Sequence, residues 1–245
     1  ALANGVIDHA ELDLAAALKG ADCVVVATPT MLAETIMIQA LELLPTTVAV
    51  TDVASVKGNI ADALIGHFDE IPSNAILGHP IAGSEQSGVS AAKEDLYQDH
   101  RVILINDPAS SPNTDTALLA KVSQLWQAVG AEVFEMSVSE HDHVLALTSH
   151  LPHLLAYALV AQLSNHNENV NVFDFAAGGL RDFTRIASSD PRMWREILLA
   201  NKTQLSSSID DFEQWIAQLR TMLDSNDGDA LEMVFSDVKN SRDKF

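Results

Sequence analysis

The chain has 245 residues, 47% of them apolar and 20% charged, enough apolar matter for one large domain or two small ones. Thirty-four acidic side chains against fourteen basic ones give a formal charge of −20, and such a field repels phosphate backbones and anionic headgroups, so nucleic acid and membrane surfaces are poor partners. No uninterrupted apolar run approaches the roughly 20 residues that span a bilayer, and no basic stretch with an apolar signal core opens the chain, so a cytoplasmic protein is expected. The single cysteine, Cys23, excludes a disulfide scaffold and reads as a buried thiol ahead of Val24-Val25-Val26.

The first half alternates short β-rich runs with helical stretches, the rhythm of a sheet covered by helices. Strands are expected at 22–27, 47–51, 75–78, 101–105 and 132–135. Most of these runs are apolar without alternation, which predicts burial on both faces in a mostly parallel sheet. Helices are expected between them at 10–18, 31–44, 56–67 and 114–129, and the proline-containing stretch 106–113 reads as a surface turn.

After Ser137 the strand signals vanish. Val144, Leu147, Leu151, Leu155, Ala158 and Gln162 keep a 3-4 spacing, with Ser139 and Asp142 placed to cap the start of a helix that Pro152 should kink. A polar loop is expected at 164–171. Asp190-Pro191 then forms an N-cap and N1 pair for a long helix. Its residues Leu205, Ile209, Phe212, Ile216, Leu219 and Leu223 repeat at 4, 3, 4, 3 and 4, the seam of a helix packed on another. A last helix is expected at 229–239. This half carries more apolar helix surface than a short domain covers, and a homodimer interface is a natural use for it.

Three clusters carry candidate chemistry. Asp52-Val53-Ala54-Ser55-Val56-Lys57-Gly58 follows a strand, where α/β sheets bind ligands; Ser55 reads either as a helix N-cap or as a ligand contact. His79-Pro80-Ile81-Ala82-Gly83-Ser84-Glu85 again lies at a strand end. His79 is either a general base or a structural hydrogen-bonder. The third cluster comprises His141-Asp142-His143, Ser149-His150-Leu151-Pro152-His153 and Gly178 to Arg185. His150 and His153 share a helix face and suit either a pocket or a metal ion. Arg185 offers a planar fork for a carboxylate or a partner for a neighbouring acid, and Trp194 reads by default as core.

Taken together and in this order, the 52–58, 79–85 and 149–153 motifs, Arg181-Asp182-Phe183-Thr184-Arg185-Ile186-Ala187 and Asp190-Pro191-Arg192-Met193-Trp194 closely resemble the prephenate and arogenate dehydrogenases of tyrosine biosynthesis. The resemblance implies an α/β Rossmann-like nucleotide-binding domain at 1–137, followed by an all-α dimerisation domain at 138–245, with the active site between them. It implies hydride transfer to NAD or NADP with oxidative decarboxylation of prephenate or arogenate, and a homodimer formed through the helical half. His79 would accept the ring-hydroxyl proton. Ser55 would orient His79 and the nicotinamide, and Thr28, Pro29 and Asp52 would contact the cofactor. Arg185 and His153 would hold substrate carboxylates, Ser149, His150 and Trp194 would line the pocket, and Glu85 would gate its mouth. Positive charge for the anionic substrate would come from Arg185 and protonatable histidines.

The Gly-x-Gly-x-x-Gly turn of such enzymes does not occur in this sequence. The opening Ala1 to Asp8 reads as the end of the following helix, so the first βαβ unit of roughly 30 to 45 residues is expected to be absent, leaving an apolar sheet edge exposed. Two further readings stand beside the dehydrogenase. One is a non-catalytic, truncated fragment that dimerises and binds an aromatic ligand, and the other is a metal-dependent hydrolase built on His141, His150 and His153.

Overall fold

The computed structural model describes residues 1–83, 88–165 and 171–244. Its first half is a six-stranded α/β layer structure with β1 Cys23–Val26, β2 Ala49–Asp52, β3 Ala75–Ile76, β4 Gly78–Ile81, β5 Arg101–Ile105 and β6 Glu132–Met136. Parallel pairing joins β1, β2 and β3 in that order, and a second sheet runs β4-β5-β6. β5 is antiparallel to β4 and parallel to β6. The strand expected at 75–78 is thus two strands that meet at Leu77, whose carbonyl accepts from Ile105 N–H at 2.8 Å. One chain segment thereby passes from the first sheet into the second.

Helices cover both faces. On one side α4 (Thr116–Ala128) lays Leu118, Leu119, Val122 and Trp126 on Ala49, Ile76, Val102 and Leu104. On the other, α2 (Thr30–Leu43) and α3 (Gly58–Phe68) pack Ala33, Met37, Ala40, Ile60 and Leu64 against Val26, Val50, Ile103 and Ile105. Successive residues of β2 and β5 enter opposite clusters, so these two strands are buried on both faces as expected. β1 and β6 are not, because they are edges: among the described residues β1 pairs only with β2, and Val25 is 42% exposed. The short α1 (Leu14–Leu18), capped by Asp13, precedes β1.

The change to helix falls at Ser137. It caps α5 (Val138–Leu145) in a full capping box with Glu140, two residues earlier than the expected cap at Ser139, and Asp142 lies inside the helix. The kink expected at Pro152 takes another form. Pro152 has no N–H and its ring crowds the carbonyl four residues back, and the helix accommodates this by widening into a π turn at Ala146–His150 before α6 (Leu151–Ser164). The whole run Val138–Ser164 is long and apolar enough to cross a bilayer by composition. Here it is the spine of the helical domain, contacting α3, α7, β5 and α9.

Beyond it stand α7 (Gly178–Thr184), a 3-10 turn at Arg185–Ser188, α8 (Pro191–Ala200), α9 (Lys202–Asp224) and α10 (Gly228–Arg242). Asp190 caps α8 as expected, but the long helix breaks at Asn201. The Asn201 side chain donates sideways to the Asp142 carbonyl at 2.7 Å. α9 and α10 form a hairpin that buries Leu205 but leaves Trp215, Ile216, Leu223, Met233, Phe235 and Val238 between 46% and 68% exposed.

Candidate active site

The second sheet forms the floor of a cleft of about 1030 Å³. His79 pairs with Ile103 and Ile81 with Arg101, while Ile103 pairs with Phe134 and Ile105 with Met136. Paired residues, and residues two apart, share a sheet face. His79, Ile81, Arg101, Ile103, Phe134 and Met136 therefore come to one surface, and all six line the cleft. The helical domain supplies the opposite wall through Thr148, Ser149, His150, His153, Arg185 and Trp194, and Ser55 closes one end.

His79 is 8% exposed and belongs to a chain of buried groups. Its Nδ1 lies 2.9 Å from His141 Nε2, and His141 Nδ1 lies 2.7 Å from Asp142 Oδ1. The Asp142 carboxylate also accepts from the Lys57 N–H at 2.9 Å and the Gly58 N–H at 2.8 Å, so it caps α3 from the helical domain. A Cβ on Gly58 would stand 2.7 Å from Asp142 Oδ2, so a larger residue there would have to push the carboxylate off its amide contacts. Burial raises the Asp142 pKa, but the hydrogen bonds from His141, Lys57 and Gly58 outweigh it and hold the group below the usual carboxylate range.

The approach to His79 is fixed by a second buried pair. Lys57 Nζ donates to Asp52 Oδ2 and, at 2.7 Å, to the Gly78 carbonyl, and both side chains are fully buried. Asp52 accepts in turn from Gly78 N–H at 3.1 Å and Ala54 N–H at 2.9 Å. Gly78 thus has both backbone polar groups bound, and a Cβ on it would meet the Asp52 carbonyl at 3.1 Å. Asp52, expected to contact a cofactor, instead spends its carboxylate inside the protein. Ser55 lines the cleft as expected and is not a cap: α3 begins at Gly58 with no side-chain cap from its own chain end. The hydrogen-bond partner on His79 Nδ1 is His141 rather than Ser55.

The opposite wall is preset by its own hydrogen bonds. The Asn201 amide donates to His150 Nδ1 at 3.0 Å, and His153 Nδ1 donates to the Ser149 carbonyl at 2.9 Å. The His153 ring stacks on Trp194 with centroids 3.5 Å apart. Trp194 is core, as its residue type suggests, and also faces the cleft, and its Nε1–H has no partner among the described residues. Burial pushes the His79 imidazole well below its usual range and His150 down to about 4, and it lowers His141 and His153, the latter with help from the Arg185 charge. Burial thus keeps these four rings as neutral hydrogen-bonding groups at neutral pH, and Arg101 and Arg185 bring positive charge to the cleft. Arg185 stands at the cleft as expected; Glu85 lies outside the described residues.

Arg101 is a cleft residue that the motifs did not reveal. Its guanidinium lies over the Phe134 ring at 5.6 Å, and the signal for it was its two-residue spacing from Ile103. The three histidines of the hydrolase reading are otherwise engaged: His141 uses both ring nitrogens, and His150 and His153 each use one. Among the described residues no group of three potential ligands is arranged to hold a metal ion.

Two of the residues expected to meet the cofactor suit a nucleotide at the end of β1, outside the lining of this cleft. Thr28 and Pro29 lie at the carboxyl end of β1, ahead of α2, where parallel sheets receive nucleotides. The Thr28 hydroxyl is buried with no partner among the described residues, as expected of a group that awaits a ligand.

Family models place the chain. Residues 1–135 match the prephenate dehydrogenase nucleotide-binding domain and residues 137–237 the prephenate dehydrogenase dimerization domain. The cyclohexadienyl dehydrogenase of Zymomonas mobilis is 34% identical over 238 residues, spanning 96% of this chain and 79% of that protein. The prephenate dehydrogenase of Bacillus subtilis is 38% identical, spanning 99% of this chain and 65% of its own length. The crystal structure of prephenate dehydrogenase from A. aeolicus with hydroxyphenyl propionate and NAD+ superimposes with a TM-score of 0.90 at 34% identity, covering 98% of this chain and 82% of that one. The cleft and its buried histidine chain therefore lie in a nucleotide-binding domain joined to a helical partner, and the chain belongs to the prephenate dehydrogenase family.

Proposed function

We propose that this chain is an NAD-dependent dehydrogenase that converts prephenate, or the closely related arogenate, by oxidative decarboxylation in tyrosine biosynthesis. The observation that carries the reading is the placement of His79: its Nδ1 is held by His141, and its Nε2 is the ring nitrogen left for a ligand in a cleft walled by both domains. A substrate hydroxyl against Nε2 can pass its proton there as the ring carbon becomes carbonyl-like. The nicotinamide supplies the hydride acceptor. Loss of carbon dioxide then leaves its bonding electrons in the ring, which becomes aromatic.

Each wall has a task in this scheme. Arg185 is suited to hold a carboxylate by its planar fork, with the Trp194 N–H as a second donor. His150 accepts from Asn201 at Nδ1 and so carries its own proton on Nε2. His153, Ser149 and the face of Trp194 shape the ring slot, and Ser55 with Thr28 and Pro29 faces the nicotinamide end. The exposed large apolar side chains of α9 and α10 support a homodimer through the helical domain, since apolar residues gathered on an exposed helical hairpin mark an interaction surface.

The test is calorimetric titration of the chain with NAD, NADP and 4-hydroxyphenylpyruvate, followed by reduction of NAD in the presence of prephenate or arogenate. Substrate-dependent NAD reduction is the expected result. Binding of the aromatic ligand without nucleotide binding or turnover would favour the non-catalytic reading.

A further inference from the structure

Two buried residues, His141 and Asp142, sit directly behind His79 without facing the cleft, and what they do follows from donor and acceptor counting. Asp142 holds a carboxylate that accepts three hydrogen bonds, from the Lys57 and Gly58 amides and from His141 Nδ1. An ionised carboxylate only accepts, so the proton of that last contact resides on His141 Nδ1. A neutral His141 then has a bare Nε2, which can only accept. Its partner at 2.9 Å, His79 Nδ1, must be the donor.

We propose that His141 and Asp142 are positioning residues for the reaction: together they hold His79 in the tautomer protonated on Nδ1, with the Nε2 lone pair turned to the substrate hydroxyl. The inference rests on the dehydrogenase reading for the identity of the proton taken up, although the tautomer itself does not depend on it. When Nε2 receives the hydroxyl proton, His79 becomes an imidazolium whose Nδ1–H still donates to His141, and the Asp142 charge lies one ring further on. No atom of the chain has to move for the charge to be met. The same carboxylate ties α5 to the Lys57-Gly58 amides, so one group aligns His79 and the loop that carries Ser55. The other ionisable groups facing this chain are Lys57 and Asp52 from the end of β2 and His150 from the π turn. Lys57 is bound to Asp52 and Gly78, and His150 to Asn201, so none of the three competes for His79 Nδ1.

The experiment reads the tautomer directly, by long-range proton–nitrogen NMR correlation on the full chain labelled with 15N-histidine, at pH 7.5. Wild-type His79 and His141 are each expected to carry the proton on Nδ1. In His141→Gln, whose amide oxygen can still accept, His79 keeps that tautomer; in His141→Leu, with no acceptor, it shifts toward the Nε2–H form. Prephenate turnover of the same proteins should fall about 100-fold in kcat for His141→Leu and less than about 10-fold for His141→Gln, with KM within about threefold in both. His79 protonated on Nε2 in the wild type would overturn the proposal. So would equal losses in both variants, which mark a packing role. If the wild type shows no turnover, the dehydrogenase reading fails, while the spectra still decide the tautomer.

Discussion

Lys57 and Asp52 form an ion pair with no solvent exposure on either side chain, and the same ammonium binds the carbonyl of Gly78, the residue before His79. Burial lowers the Lys57 pKa, and the Asp52 charge opposes the shift, so the pair is costly to bury and worse to break. Lys57→Met leaves Asp52 charged without its cation. Its unfolding free energy in urea should fall by about 3–5 kcal/mol. The double variant with Asp52→Asn should lose less than the sum of the two single losses. Strict additivity would mean that the pair acts as two independent residues.

His79 and Arg185 should separate in their kinetics. His79→Ala removes the proton acceptor, a role that belongs to the transition state, and kcat should fall about 100- to 10,000-fold with little change in KM. Arg185→Ala removes a charged hydrogen-bond donor for the substrate, so KM should rise about 10- to 100-fold. Steady-state assays decide, and a change confined to KM in both would contradict the assignments.

Acid should destabilise the chain through its buried imidazoles. Burial brings the His150 pKa down to about 4 in the folded state, against about 6.5 for an imidazole in water. The unfolded chain therefore holds more protons between those values. The contribution of His150 is fully present above pH 6.5 and is lost as the pH falls toward 4, about 3 kcal/mol in all. His79 and His141 are lowered in the same direction and add to it. Urea titrations at pH 7.5 and 4.5 measure the slope, which His150→Gln should flatten; an unchanged slope in that variant would assign the loss to other groups.

The α9–α10 hairpin predicts its own assembly. Trp215→Glu with Phe235→Glu places charges on the exposed apolar face, and sedimentation should then find monomer where the wild type is a dimer. A double variant that sediments as the wild type does would place the interface elsewhere.

Much of the fold was legible along the chain. β2, β5 and the helices α2, α3 and α4 lie close to their expected places because apolar runs and capping residues act within a few positions of one another. The split at Leu77 was not, since residues 75–78 read as one strand and only the direction of β5 decides that the chain from Gly78 onward pairs antiparallel. Pro152 announced a disturbed helix, but whether a helix kinks or widens depends on what packs around it, and here the widened turn carries Ser149 and His150 into the cleft.

The sequence by itself picked out side chains that the fold gathers in one place: His79, Ser55, His150, His153 and Arg185 all line the cleft. Their motifs are local, and local motifs survive in one dimension. Only the tertiary structure decided how those groups are set. Asp52 turned inward to Lys57, His141 came with Asp142 to stand behind His79 although it lies 62 residues away in the chain, and Arg101 joined the floor by strand register. It also decided that His79, His150 and His153 are held toward the neutral form, because burial, which governs their protonation, is a property of the packed chain and of no single stretch of it.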